Sequence, residues 1–323
     1  MASFEQAASL AARVAVDGVK EQFSPQERME AVWQMEEEEL LYLPKPDTIR
    51  TKLLHMCREN KAAAVSGLVL AVMAFAIIFA DKLTVYDPNG VNLMERLLPP
   101  SAAHWCGTDE LGRDIFTRIL YGGRVSLLVG VIPTAISMAI GIVLGMVSGY
   151  IRQMEAVIMR LADIVLAFPS IVLAMVVMYT LGATTTNIFI ALSMIGWAKT
   201  ARVVRSQTLS IREQEFVEAA KGMGVGKWTI MFRHILPNCL PSLIVLFTLN
   251  IPDAILSEAN LSFLGVGTQP PDSSWGLMVS QARTFAQSSP WMLIFPSIAI
   301  LIMVLALNFL GDGLRDVMDP HGR

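Results

Sequence analysis

At 323 residues, with 54% hydrophobic and 16% charged side chains and a mean hydropathy of +0.52, the chain is too apolar for an ordinary soluble domain. The formal net charge of −3 belongs to residues 1–61, where eleven acids face eight bases; the remaining residues balance at seventeen of each. This composition marks a membrane protein without a nucleic-acid footprint, and Cys57, Cys106 and Cys239 show neither metal spacing nor a disulfide framework.

Residues 1–61 read as a cytoplasmic, helical tail. Glu5 and Asp17 stand where a secretory leader would carry its basic start and apolar core, so no cleaved signal peptide is expected. Ser24, Pro25 and Glu27 fit the opening of a capped helix. Met29, Val32, Trp33 and Leu40 fall near one face of it, and Pro44 and Pro46 break it. The tail reads as an extension lying on the cytoplasmic face, with a partner-docking arm as the alternative.

A first span covers residues 62–80, near the ~20 residues that cross the hydrocarbon. Arg50, Lys52, Arg58 and Lys61 precede it, which places the N-terminus in the cytoplasm. Residues 81–123 form an external segment rich in turn formers, among them Asp87-Pro88-Asn89-Gly90 and Pro99-Pro100. A second span, residues 125–150, carries Gly141, Gly145 and Gly149 on one face, so a neighbouring helix can come close. A third, residues 161–181, is kinkable at Pro169; Arg160 and Asp163 at its inner end are spaced for a local ion pair and read as structural anchors. A fourth, residues 187–199, has its inner end marked by Lys199, Arg202 and Arg205. The fifth and sixth cover residues 241–264 and 291–310, and the 25 residues between 266 and 290 hold one base, as expected outside. The expected architecture is all-α, with six spans, a five-helix core over 124–312, a C-terminal tail over 313–323, and both termini cytoplasmic.

Asp253 and Glu258, with Asn250, are candidates for a pathway or outer gate. Intramembrane carboxylates are costly unless they face protein or a wet cavity. Pairing with Arg113, Arg118 or Arg124 is the alternative. Ser137, Thr248 and Asn250 likewise suggest a wet pathway.

Residues 213–237 interrupt the apolar chain between the fourth and fifth spans. Residues 216–221 read as a short helix, Gly222 and Gly224 as a turn free to take positive φ, and residues 227–235 as a second helix stopped by Pro237. Trp228, Phe232 and Ile235 fall on one face of that second helix. The result is a compact knob able to dock into a groove on a soluble partner and pass on rigid-body motion.

Within the knob, Glu218-Ala219-Ala220 is followed by Gly224 and then by Leu236-Pro237, a pattern that resembles the EAA loop of ATP-binding cassette (ABC) importer permeases. Three further stretches resemble the second permease subunit of the oligopeptide, dipeptide and nickel branch of that family. They are Gly107-Thr108-Asp109 with Gly112-Arg113-Asp114, the run from Glu258 through Asn260 and Ser262 to Gly265, and Leu310-Gly311-Asp312-Gly313 through Asp316 with Asp319-Pro320.

The resemblance implies a type I ABC importer permease fold in the bacterial cytoplasmic (inner) membrane. Its implied partners are a second, homologous permease, two ABC ATPases and an extracytoplasmic binding protein. ATP and Mg belong to the ATPases, and this chain binds no cofactor or metal and is not an enzyme; it lacks the G-x-x-x-x-G-K-[ST] phosphate loop. In the coupling loop, Glu218 would pair with a basic ATPase side chain or cap its own helix, Gly224 would shape the turn, and Trp228, Phe232 and Ile235 would fill the ATPase groove or pack on the chain itself. Arg113 and Asp114 would fold the external segment or meet the binding protein or partner permease, against the alternative of a solvated turn with a local ion pair.

The expected cargo is a di- or oligopeptide, with nickel or another small solute of the same family as the alternative. An ion-coupled secondary carrier would predict paired charges near the bilayer centre and internal repeats, whereas most span charges here cluster at the ends and no clear repeat is visible. An intramembrane enzyme ranks last, since neither H-E-x-x-H nor G-x-S-x-G occurs.

Overall fold

The computed structural model describes residues 60–318; the tail expected up to residue 61, including Cys57, and the terminal Asp319-Pro320 pair fall outside the described residues apart from Asn60 and Lys61. The elements are α1 (Lys61–Ile78), α2 (Ile115–Tyr150), α3 (Arg152–Ala167), α4 (Ser170–Leu181), α5 (Thr185–Arg212), α6 (Glu215–Gly222), α7 (Lys227–Phe263), α8 (Trp275–Ala282) and α9 (Trp291–Met318). No strand occurs among the described residues, as expected where hydrocarbon cannot satisfy backbone groups and each helix satisfies its own. Helix starts are written in short polar side chains. Asn60, Asp114, Thr184 and Ser274 each accept a hydrogen bond from the amide three residues on, at 3.0, 2.8, 3.2 and 3.1 Å.

α2 and α5 run parallel and approach most closely. A Cβ added at Gly141, Gly145 or Gly149 would lie 2.6, 2.6 and 2.7 Å from the side chains of Thr200, Val204 and Thr208 in turn. The same atoms would come within 2.9, 2.7 and 3.0 Å of the carbonyl oxygens of Trp197, Ala201 and Arg205. Gly196 returns the favour, with Ser137 Oγ 2.9 Å from its would-be Cβ. The glycine face expected from sequence is therefore a seam on which a whole helix lies. Lipid tails offer helices little hydrophobic incentive to associate, so close contact of this kind carries the pairing.

The other long helices run antiparallel to their neighbours. Gly123 of α2 sits against Ile77 of α1 and Trp275, Gly130 of α2 against Ile251 and Ile255 of α7, and Gly311 of α9 against Leu249 of α7. Gly313 of α9 meets Ala63 of α1, and Asn60 Nδ2 donates to Asp316 Oδ2 at 3.3 Å. The Leu310–Asp316 stretch thus has a local job: its glycines let α9 close on α1 and α7.

Four helices, α1, α2, α7 and α9, are long and apolar enough to cross a membrane, and the bent pair α3 and α4 makes a fifth if it counts as one span. Six spans were expected, and two differ from that expectation. Residues 161–181 straddle an 89° bend between α3 and α4. The bend falls at Phe168, extended at φ −94 and ψ 142, because Pro169 pushes its predecessor out of the helical region. Residues 187–199 are only the apolar first half of α5, which continues as helix through Lys199, Arg202 and Arg205 to Arg212. Lys199 is therefore a mid-helix residue and does not mark an inner end.

Two buried clusters hold the ends of the bundle. Ile77, Ile115, Trp275 and Met292 gather at one end, and Met146, Val204, Val217, Ile230 and Ile235 at the other. The seam makes a direct prediction. Gly145→Val should destabilise the protein by about 1–3 kcal/mol through overpacking, whereas Gly222→Ala, with open space around it, should be neutral or slightly stabilising. Thermal unfolding in mild detergent checks both, and equal midpoints for the two variants would contradict the seam.

Candidate functional site

The stretch 213–237 forms the expected knob. α5 ends at Arg212, and α6 restarts on the Gln214 carbonyl, which accepts from Val217 N at 3.0 Å. α6 closes with a paired cap around Gly224: Gly224 N donates to Lys221 O at 3.0 Å and Val225 N to Ala220 O at 3.1 Å. Gly224 has φ +78, so the expectation of a left-handed turn holds there, while Gly222 is the last residue of the helix. The space around Gly224 is open, so only the backbone angle, and no neighbour, calls for glycine.

The second helix departs from expectation. It does not stop at Pro237 but runs on as α7 to Phe263, through a π-helical turn over Ile230–Ile235. Proline ends a helix because it lacks an N–H and crowds the carbonyl four residues back. Here the widened turn precedes it, Leu236 N bonds back to Met231 O, and Pro237 falls in the first turn of the following α-segment, where proline is tolerated. Asn238 Nδ2 donates to His234 O at 2.6 Å across the same turn.

The π-turn also rotates the face. Trp228 and Phe232 are exposed and stacked, with ring centroids 6.2 Å apart, but Ile235 is fully buried with Ile230 and Met231 against Met146, Val204 and Val217. Ile235 therefore does not share their face. Of the remaining knob residues, Ala220 is buried, Leu236 partly so, and Glu218, Ala219 and Pro237 are exposed. Glu218 makes no side-chain hydrogen bond or ion pair among the described residues, so nothing there supports a capping role. Phe216 and Met223, unremarked in the sequence, join the exposed apolar surface at 45% and 77% exposure. Their signal lay in being large and apolar beside the turn.

At the opposite end, residues 104–118 fold into a polar knot. Gly107 and Gly112 have φ +76 and +73; a Cβ on Gly107 would lie 2.6 Å from Leu98 O, and one on Gly112 would strike Asn92 O. Thr108 is buried, its hydroxyl donating to Glu95 O at 2.5 Å and accepting from Leu98 N at 2.8 Å. Buried Asp109 accepts from Arg113 Nε at 2.7 Å, from the Arg113 amide at 3.0 Å and from the Arg118 guanidinium. Asp114 caps α2 and lies 2.9 Å from His104 Nδ1. The solvated turn with an Arg113–Asp114 pair is thus overturned: Arg113 pairs with Asp109, and both acids are 4% exposed. Buried charges persist only when paired and hydrogen-bonded, which these are.

Cys106 lies in the same knot, and burial pushes its thiol up to about 11. Nearby, Arg124 and Tyr121 both donate to exposed Asp81, and these bonds hold its carboxyl below the ordinary value.

Asp253 and Glu258, expected to act alike, are separated by the structure. Glu258 is fully buried; Ser262, Thr268 and Ser274 donate to its Oε1 at 2.7, 3.0 and 2.7 Å, fastening α8 to the end of α7. Gly265, at φ +82, turns the chain between them with the same paired cap seen at Gly224. Asp253 instead pairs with Lys199 at 3.3 Å, each about two-thirds exposed. The alternative pairing of these acids with Arg113, Arg118 or Arg124 is excluded, since those arginines go to Asp109 and Asp81. Asp253, Lys199, Asn250 and Ser137 line a cavity of 280 Å³ between α2, α4, α5 and α7. Thr248 is not among its lining residues, because it bonds Ile244 O within its own helix and packs near Gly311. Asp163 pairs with Arg202 of α5 at 2.6 Å, and not with Arg160 as its spacing suggested.

Residues 130–323 match the model of the binding-protein-dependent transport system inner membrane component, and residues 54–100 that of the N-terminal TM domain of oligopeptide transport permease C. The chain belongs to this family of inner-membrane transport components. Among its relatives, the dipeptide transport system permease protein DppC of Alkalihalophilus pseudofirmus is 45% identical over 81% of this chain and 87% of its own. The probable D,D-dipeptide transport system permease protein DdpC of Escherichia coli K12 is 41% identical over 83% and 91%. The glutathione transport system permease protein GsiD of Pectobacterium atrosepticum is 43% identical over 81% and 88%. The chain is thus an all-α, multi-pass membrane protein of the type I ABC importer permease fold. Knob and cavity lie inside the first matched stretch, while the 104–118 knot falls between the two.

Two predictions concern the knot. Asp109→Asn leaves Arg118 buried without a paired counter-charge and Arg113 with only its 3.4 Å contact to Glu110, and should cost about 3–5 kcal/mol, read as a lower unfolding midpoint and faster proteolysis within residues 84–114. At pH 8 a thiol titrating at about 11 is thiolate in roughly one molecule per thousand. Iodoacetamide should therefore modify Cys106 far more slowly than a free thiol, as followed by peptide mass spectrometry. Rapid modification of the folded protein would contradict its burial.

Proposed function

We propose that this chain is one permease half of an ABC importer for di- or oligopeptides. It pairs with a second, homologous permease. Two ABC ATPases sit at the knob end, carrying the ATP and Mg, and an extracytoplasmic binding protein delivers cargo to the other. Both termini then lie in the cytoplasm, on the knob side.

The observation that carries this reading is the knob. Its inner half is packed on α2 and α5, and its outer half presents Phe216, Met223, Trp228 and Phe232 with the free carboxylate of Glu218. A rigid helical corner with an exposed apolar face is what a groove on a moving partner can grip. The names of the relatives support peptides as cargo. In this reading Asn250 and Asp253 line the pathway, and Glu258 acts as the fastening of its outer end. Its buried position supports that division of labour.

The test is affinity purification of the tagged chain in mild detergent, as wild type and as Gly224→Trp. Wild type should bring down a second permease and one or two ATPases, and show ATP hydrolysis stimulated by peptide-loaded binding protein. Gly224→Trp strains the left-handed turn, adding about 1–2 kcal/mol, and plants a bulky ring on the docking face. It should insert and bind its partner permease yet lose that stimulation. A wild-type chain that purifies alone and transports without ATP refutes the importer reading, and normal stimulation in Gly224→Trp refutes the coupling role.

A further inference from the structure

Lys199 stands halfway along α5, and Asp253 faces it from α7, both on the wall of the 280 Å³ cavity. Among the described residues they are the cavity's only charged lining residues. The other two cross-helix ion pairs of α5, Arg202–Asp163 and Arg205–Glu155, go to α3 and line a separate opening nearer the knob.

A charged pair in the middle of a membrane bundle is sustained only by water or by protein partners. A pair kept for cross-linking would be buried and held by several hydrogen bonds. This one has a single 3.3 Å contact, with side chains 63% and 65% exposed. Exposed pairs of that kind contribute about 0–1 kcal/mol, so the contact opens at little cost.

We infer that Lys199 and Asp253 form a recognition point for the two termini of a short zwitterionic peptide, the ammonium of Lys199 taking its carboxylate and the carboxylate of Asp253 its ammonium. The inference rests on the peptide-import reading above and adds to it the chemistry by which the cavity selects cargo. Charge balance decides the class. The wall carries one positive and one negative group, so a zwitterion exchanges one ion pair for two and leaves no charge unmatched. A net anion or cation would meet only one of the two wall charges and leave the other without the partner it gave up.

Size agrees. The cavity lies near the lower end of small-molecule sites, at ~300 Å³, and the termini of an extended dipeptide are at most about 7 Å apart. Opening the 3.3 Å pair by a rotamer change lets it bracket such a molecule. Ser137 and Asn250 stand on the same wall to meet the peptide group.

The test uses the assembled transporter in proteoliposomes, with its partner permease, ATPases and binding protein. Uptake of alanyl-alanine, its C-terminal amide and its N-acetyl form is driven to plateau in each case, so that binding-protein affinity drops out. Lys199→Gln should lower the plateau rate for alanyl-alanine about tenfold, the loss of one charge-assisted contact. The same variant should leave the amide within about twofold of wild type, and Lys199→Arg should restore selectivity. Asp253→Asn should do the converse, sparing the N-acetyl form; it stands in if Lys199→Gln fails to assemble. A ratio of free to blocked peptide that stays at the wild-type value in both variants overturns the inference alone. A wild-type complex that hydrolyses ATP with its binding protein but imports none of the three peptides overturns the peptide reading, and this inference with it.

Discussion

The close approach of α2 to α5 is the constraint on which the rest of the molecule depends. Three glycines one turn apart on α2 bring its backbone against the carbonyls of α5, and Gly196 of α5 answers with the same concession. Two parallel helices held at that distance fix where each end of the pair lies. At one end their side chains, Met146 and Val204, make the floor on which the knob residues Val217, Ile230 and Ile235 rest. Towards the other, Gly123 and Gly130 of the same α2 admit Trp275 and α7. Dispersion contacts, individually worth only ~0.1–0.2 kcal/mol, accumulate along such a seam because nothing on it stands away from its neighbour.

With the pair fixed, the cavity follows. α7 crosses at Gly130 and leaves Asp253 opposite Lys199. The bend at Pro169 swings α4 away from the line of α3, so that Ser170 and Ala174 become the cavity's fourth wall. A straight third helix would place a different set of residues there.

Much of this was legible in the sequence, for identifiable reasons. The glycine seam and the left-handed corner at Gly224 are local, and each residue type states its own conformational preference. The knob and the family likeness were legible because the motif residues sit at fixed spacing. What was not legible depends on partners distant in the chain. Arg113 has an acid on each side of it in the motif, and only the fold decides that Asp109 and not Asp114 takes it. Asp163 lies three residues from Arg160 but nearer in space to Arg202. Asp253 and Glu258 are five apart on one helix, a spacing that puts them on different faces, one wet and one buried. The π-turn was hidden because nothing in residues 230–235 announces it. Pro237, read as a stop, was accommodated instead by widening the turn before it.

The two ends of the bundle are held by different kinds of force, and the difference suits different work. The 104–118 knot and the Glu258 fastening are built from buried carboxylates, each accepting from several donors. Hydrogen bonds of that kind are directional, and breaking one exposes an unmatched buried group, so the arrangement has essentially one geometry. The knob is seated almost wholly by apolar side chains; Lys221, donating to Arg212 O at 3.4 Å, is its one side-chain hydrogen bond to the helix before it among the described residues. Apolar contact is non-directional and tolerates small slides and rotations without leaving a group unpaired. In the proposed importer, the end that would receive a partner's motion is seated by the class of interaction that physics makes movable, and the end closed around its own chain by the class it makes fixed.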